Sequence, residues 1–334
     1  MYKIKGICYL LDYKHPLARL LNFNRNLDTN TIRNELRIIK EDLGCNAVRL
    51  ISDSNSKLIE AAEIALKFNL EPWVSNRLFG LNTKGAKKVL RDLAISCEIL
   101  RKRYSTQIII IVANEPSLDT RFVWRIGPPS TGSKLEHFFS THRQNEKLDL
   151  SSFISELAIE VKKYFNGPIT LASGPWEKID WKYFDYIGVN LYINKHNKDI
   201  YENLIDEYKG YKKPLVITEF GCCTFKGAAD YGGNGWNYAS KNNVVYDKTE
   251  QANTIEKCIN IFKNKDVEGS FLLGYVEPKP VTKKKMLFGL GGLTVSAEGS
   301  YGIMNYFGKK KKLKPKLSYE ILKRLNISLN PFTV

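Results

Sequence analysis

Short runs rich in Ile, Val and Leu alternate with longer amphipathic stretches along the whole of this 334-residue chain. Regular alternation of this kind marks successive βα units, and such units build a parallel sheet covered by helices. The spacing predicts strands in 2–10, 46–52, 70–75, 108–114, 168–173, 185–192, 214–221 and 268–277. Between the first two, Ile32, Leu36, Ile39 and Leu43 fall on one helical face, with Asp28 or Thr29 placed to cap it and Gly44 to end it. A later helix over 150–165 has Phe153, Leu157, Val161 and Tyr164 at helical spacing. A closing helix is expected near 315–326, with Pro315 in its first turn.

Eight strand–helix pairs with no break in composition predict an α/β fold, one (β/α)8 TIM barrel spanning residues 1–334. Such a barrel typically needs about 250 residues. The surplus falls in three excursions, 117–148, 221–248 and a lysine-rich 278–314, each following a strand (the fourth, seventh and eighth). In a barrel those loops line the face that carries the chemistry. The rival architecture, a doubly wound open sheet, lacks its Gly-rich phosphate fingerprint after the first strand.

Bulk properties exclude several classes. Hydrophobic residues make up 43% of the chain, enough for a substantial core. No apolar run is long enough to span a membrane, and the N-terminal stretch meets Asp12 and His15 too soon for a signal-peptide core. Six cysteines, at 8, 45, 97, 222, 223 and 258, are too sparse for a disulfide scaffold and lack zinc spacing, so a cytoplasmic location is expected. The adjacent Cys222 and Cys223 read as small semi-buried residues rather than a redox pair. His137, His142 and His196 show no metal spacing, and neither a metal nor a cofactor is expected. The net charge of +16, partly concentrated in 282–286 and 308–316, permits an anionic partner but speaks to association rather than fold.

The run of four isoleucines and a valine at 108–112 reads as a buried strand, yet it ends in Ala-Asn-Glu-Pro. If the strands form a barrel, their ends converge on one bowl, with Glu115 just past strand four and Glu219 at the end of strand seven. Two carboxyl groups across one bond are the equipment of glycoside hydrolysis, one protonating the leaving oxygen while the other attacks or activates water. Arg49 at the end of strand two is a candidate cation for the pair. Asn114 is placed to hydrogen-bond a sugar hydroxyl, and Asn190 and Tyr192 of "GVNLY" lie at the end of strand six.

The set "NAVRL", "ANEP", "GVNLY" and "ITEFG" resembles that of the retaining glycoside hydrolases of clan A, the barrel group of cellulases, β-mannanases and β-galactosidases. The resemblance implies Glu115 as acid/base, Glu219 as nucleophile, Arg49 as the arginine that contacts the nucleophile, Asn114 as the sugar-binding asparagine and Tyr192 as the tyrosine after strand six. It implies a carbohydrate substrate, and the chain's charge allows an anionic one. The chain departs from the clan's pattern at strand eight, where "LLGYVEPKP" offers Tyr275 and Glu277 in place of a tryptophan, and at strand three, which ends "WVSNR" without a histidine. Trp73, Trp124, Trp176 and Trp236 are candidate sugar-stacking platforms, with Trp124 and Trp236 favoured because they fall in the long loops. Two other readings stay open: a barrel that binds glycans without turning them over, and a binder of anionic polymers through the lysine runs. No specific nucleic-acid partner is expected, because the basic runs lack interleaved aromatics. Oligomeric state is not legible.

Overall fold

The computed structural model describes residues 2–11, 27–78, 80–119, 150–276, 282–287, 290–295, 299–307 and 312–327. Eight strands, β1 (Ile4–Leu10), β2 (Ala47–Ser52), β3 (Glu71–Asn76), β4 (Ile109–Asn114), β5 (Ile169–Ala172), β6 (Ile187–Asn190), β7 (Leu215–Phe220) and β8 (Gly269–Leu272), pair in the order β5-β4-β3-β2-β1-β8-β7-β6. Every ladder is parallel. The two ends of the row meet through a parallel bridge between Ser173 and Val189. There the Ser173 N–H donates to the Gly188 carbonyl at 3.0 Å and the Asn190 N–H to the Ser173 carbonyl at 2.8 Å. The result is the expected (β/α)8 barrel. Closure depends on Gly188, because a Cβ there would lie 1.9 Å from the Leu171 carbonyl oxygen.

Helices α1 (Thr29–Glu41), α2 (Asn55–Lys67), α3 (Thr83–Tyr104), α4 (Pro116–Asp119), α5 (Leu150–Lys162), α6 (Tyr201–Lys209), α7 (Gly235–Lys241), α8 (Lys248–Asn264) and α9 (Leu317–Ile327) occur among the described residues. Asp28 caps α1 by accepting the Thr31 N–H at 2.7 Å, and Ile32, Leu36, Ile39 and Leu43 are buried as their spacing requires. In α5 the expected face is shifted. The helix stops at Lys162 and buries Leu150, Ile154, Leu157, Ala158 and Val161, so Tyr164 is exposed and lies beneath the Arg91 guanidinium, 5.5 Å from the ring centre.

One strand–helix pair is replaced. Between β5 and β6 the chain makes only a 3-10 turn, Trp181–Tyr183, capped by Asp180. Lys213 Nζ donates to the carbonyls of Trp181 and Phe184 at 2.7 and 2.5 Å, so a side chain satisfies groups that a longer helix would have satisfied internally. Among the described residues after β8, β9 (Thr282–Leu287) pairs with β10 (Leu290–Val295), and β11 (Met304–Phe307) with β12 (Lys312–Pro315). Pro315 therefore ends a strand instead of opening α9.

Two cores follow from the period-two alternation of the strands. Ile4, Cys8, Ala47, Ile51, Trp73, Ile109, Ile111, Ala172, Val216 and Phe271 fill the barrel, while the alternate residues, such as Ile7, Val48, Ile110 and Ile217, pack outward under the helices. Within the barrel the Trp73 ring lies 5.0 Å from Phe271 and 5.3 Å from Tyr186, so Trp73 is interior packing. No described helix is long and apolar enough to cross a membrane.

Two outcomes are expected. Gly188→Val forces apart the β5–β6 seam and lowers unfolding stability by roughly 3 kcal/mol or more in urea titrations, the range of severe overpacking. Glu98, held in a fork by Arg101 at 2.8 and 2.9 Å, has its carboxyl lowered from 4.5 to about 2, chiefly by that hydrogen bond. Its contribution is complete above pH 4.5 and is lost as pH falls toward about 2. The urea midpoint of Glu98→Gln is accordingly flatter across that window than that of the native protein.

Candidate active site

Strict alternation would not bring both carboxylates to the mouth. In β4, Ile109 and Ile111 face the barrel, yet Ala113 packs in the outer core. The reason is a slip in the ladder: Ile111 pairs with Thr170, but Asn114 pairs with Ala172. β7 slips in the same way, from Ile217 opposite Ser270 to Phe220 opposite Leu272. Val216 faces inward and Phe220 outward, which leaves Thr218 and Glu219 both directed to the bowl. Extra residues of this kind at a barrel rim bend the strand and re-aim its side chains.

The two slips meet in one network. Arg49, fully buried, donates through Nη1 to the Thr218 carbonyl at 2.8 Å and through Nη2 to Asn114 Oδ1 at 2.5 Å. Its Nη1 stands 3.9 Å from Glu219 Oε2, a carboxylate whose side chain is 14% exposed. Asn190 Nδ2 donates to Glu115 Oε1 at 3.0 Å and is 3.3 Å from Asn114 Oδ1, while its own oxygen accepts from the Thr218 hydroxyl at 2.9 Å. Asn114 is thus oriented by donors on its oxygen, with its NH2 left as the donor available to a ligand. Glu115 itself is held at φ +37°, a left-handed conformation that costs a residue with a side chain about 1–3 kcal/mol.

Tyr192 joins the same group. Burial first, then the negative charges of Glu219 and Glu115, push its phenol well above the ordinary range, so it is a neutral hydroxyl beside two carboxylates. Its ring meets Tyr301 edge-on at 5.9 Å. Tyr301 is fixed in turn, donating to the Gly232 carbonyl at 2.5 Å and accepting the Gly235 N–H at 3.1 Å. Below the bowl lies Cys8, whose thiol burial pushes up to about 12; it is inert packing at 3.7 Å from the Thr218 carbonyl.

The structure therefore brings together Arg49, Asn114, Glu115, Asn190, Tyr192 and Glu219. Trp236, on α7, is half-buried in the cluster that includes Tyr192 and Tyr301, and Trp176 is half-buried in the turn after β5. Tyr275 is placed elsewhere. It is fully buried in the outer core, 6.2 Å from Tyr9, and so cannot present a ring to a sugar in place of the missing tryptophan. Trp124, Glu277, His137 and His142 lie outside the described residues, as do 308–311 of the second lysine run. His196 is an exposed loop residue, and no metal-holding cluster occurs among the described residues. All six cysteines are buried and none is joined in a disulfide, Cys222 and Cys223 included.

Three participants had no signal in the sequence. Thr218 precedes Glu219 in a strand where alternation assigns only one of them to the bowl. Tyr301 comes far along the chain from Tyr192. Glu177 looks like any solvated loop glutamate, yet it is buried and accepts four hydrogen bonds.

No family model matches the chain, and no curated protein is similar to it in sequence. Solved structures do share its fold. A GH113 β-1,4-mannanase matches with TM-score 0.61 and 14% identity, over 98% of this chain and 100% of its own. The GH113 β-mannanase AaManA of Alicyclobacillus acidocaldarius in complex with ManMIm matches at 0.60 and 12%, over 98% of both chains. A β-glucuronidase from an uncultured Clostridium species matches at 0.58 and 14%, over 98% of this chain but 51% of its own. What the chain shares with them is the (β/α)8 barrel fold.

The Arg49 network yields a stability prediction. Arg49→Met leaves Asn114 Oδ1, the Thr218 carbonyl and the Glu219 charge without their cation, at a cost of about 3–5 kcal/mol. Adding Glu219→Gln recovers part of that loss, because one buried charge is then removed. A double-mutant cycle in denaturant reads both.

Proposed function

We propose that this protein is a retaining β-glycosidase with Glu219 as nucleophile and Glu115 as acid/base. The observation that carries the reading is the contact of Asn190 with Glu115 on one side and with Thr218, beside Glu219, on the other, within a network anchored by a buried arginine. In the first step a Glu219 oxygen bonds to the anomeric carbon as the bond to the leaving oxygen breaks, and that oxygen takes the Glu115 proton. In the second, water gives a proton to Glu115 as its oxygen attacks the anomeric carbon from the face the leaving group vacated, opposite Glu219, and the bond to Glu219 breaks; two inversions leave the configuration retained. Arg49 supplies positive charge beside the ionised nucleophile, and Tyr192 a neutral hydroxyl donor. The Asn114 NH2 is positioned for a sugar hydroxyl, with Trp176 and Trp236 as flanking rings. The chemistry requires no cofactor.

The structural neighbours act on β-mannans and β-glucuronides, as their names state, so β-mannosides and β-glucuronides head the substrate panel. A uronic-acid substrate also suits a chain of net charge +16. Six cysteines outside any disulfide suit a reducing compartment such as the cytoplasm. A catalytically silent glycan-binding barrel is the second reading, favoured by the burial of Tyr275, which leaves strand eight without the sugar-floor ring of the clan.

The test is hydrolysis of aryl β-glycosides and β-linked oligosaccharides by the native protein and two variants. Glu219→Ala is expected to fall to background. Glu115→Ala is expected to lose about 10²–10⁴-fold on substrates with poor leaving groups. The anomer first released, read by NMR, is expected to match the substrate. Inverted product refutes the double displacement, and saccharide binding without turnover on any substrate favours the silent barrel.

A further inference from the structure

Glu177 takes no part in the chemistry above, yet its placement bears on it. It lies buried in the turn after β5. Oε1 accepts the Ser117 N–H at 2.9 Å and the Ser117 hydroxyl at 2.5 Å; Oε2 accepts the Ser173 hydroxyl and the Gly174 N–H, both at 3.0 Å. All four donors are neutral. Burial pushes the carboxyl up while these bonds oppose the shift, and an unpaired buried charge is tolerated only where its oxygens are satisfied in this way.

The donors are not arbitrary. Ser117 stands two residues beyond Glu115, in the turn where Glu115 adopts φ +37°. That turn is otherwise fastened by the Glu115 N–H to the Ala172 carbonyl and the Leu118 N–H to the Glu115 carbonyl, both at 2.7 Å. A strained conformation persists only when its surroundings over-determine it. Ser173 is the residue that bridges to β6 at the barrel seam. The Ser117 hydroxyl also accepts the Trp176 indole N–H at 3.0 Å. Gly174 makes room for that ring, since a Cβ there would come within 2.4 Å of it.

We propose that Glu177 is a positioning residue that locks the strained Glu115–Ser117 turn and the Trp176 indole to the barrel seam, so that one buried carboxylate sets both the acid/base group and a flanking ring. Its catalytic consequence rests on the glycosidase reading; the lock itself does not.

The experiment uses Glu177→Gln, which puts an NH2 where two donors already point, together with Ser117→Ala and Ser117→Thr. A lost lock misplaces the acid, so kcat/KM for phenyl β-glycosides is expected to fall about 10–100-fold in Glu177→Gln and Ser117→Ala. Dinitrophenyl glycosides, which leave without protonation, stay within about threefold of native. Ser117→Thr, which keeps a hydroxyl, restores most of the phenyl rate. Loss of the same size on both leaving groups overturns the proposal, as does a lowered Tm with native rates. If Glu177→Gln does not fold, Ser117→Ala carries the test. If the native protein hydrolyses nothing, the glycosidase reading fails and the crystal structure of Ser117→Ala decides the lock alone. Residue 115 relaxed to negative φ, without its Asn190 bond, sustains it; φ unchanged overturns it.

Discussion

The seam between β5 and β6 is the contact on which the rest of the molecule depends. It joins the two ends of the strand order, and without it the sheet is an open row whose strand ends do not face one another. It is also short. Two backbone hydrogen bonds on Ser173, the Asp185 N–H to the Ile169 carbonyl at 2.9 Å, the Thr170 hydroxyl to the Tyr186 carbonyl at 3.0 Å and the close approach allowed by Gly188 make it. The residues that form the seam are then used again: Asn190 holds Glu115, and Ser173 bonds Glu177. Closure and site assembly are therefore one event rather than two.

Within the closed barrel, charge is managed by shared acceptors. Arg49 is fully buried and would be costly if left to the low dielectric alone, yet its two terminal nitrogens find a carbonyl and an amide oxygen, with a carboxylate at 3.9 Å. The same amide oxygen, on Asn114, faces Asn190, so the cation, the two asparagines and both carboxylates constrain one another. Such a network gains rigidity from its satisfied members, and Arg49 Nε is the buried nitrogen in it that no hydrogen bond reaches. Aromatic packing from the β8 excursion completes the wall, with Tyr301 set against Tyr192 and pinned to Gly232 and Gly235 of the β7 excursion.

Much of this was legible beforehand. The eight strands fall where the β-branched runs place them, α1 buries the face its spacing names, and Glu115 and Glu219 sit at the ends of β4 and β7. The misreadings share a cause, in that local pattern says nothing about a residue's distant neighbours. Tyr275 follows β8 as a floor residue would, but turns to the outer core against Tyr9. Trp73 has the look of a platform and instead fills the barrel beside Phe271. The stretch between β5 and β6 carries helical signals, but Lys213 caps its carbonyls after a single 3-10 turn.

Sequence by itself determined the order of elements and which strands end in carboxylates, because periodicity and chain order are one-dimensional properties. It could not determine that Thr218 and Glu219 both face the bowl, since period-two alternation forbids it and only the slips against β6 and β8 permit it. Nor could it show that Glu177 is buried and bonded to the turn of Glu115. Those facts arise from which strands lie side by side, and hydrogen bonds between residues far apart in the chain exist only once the barrel has closed.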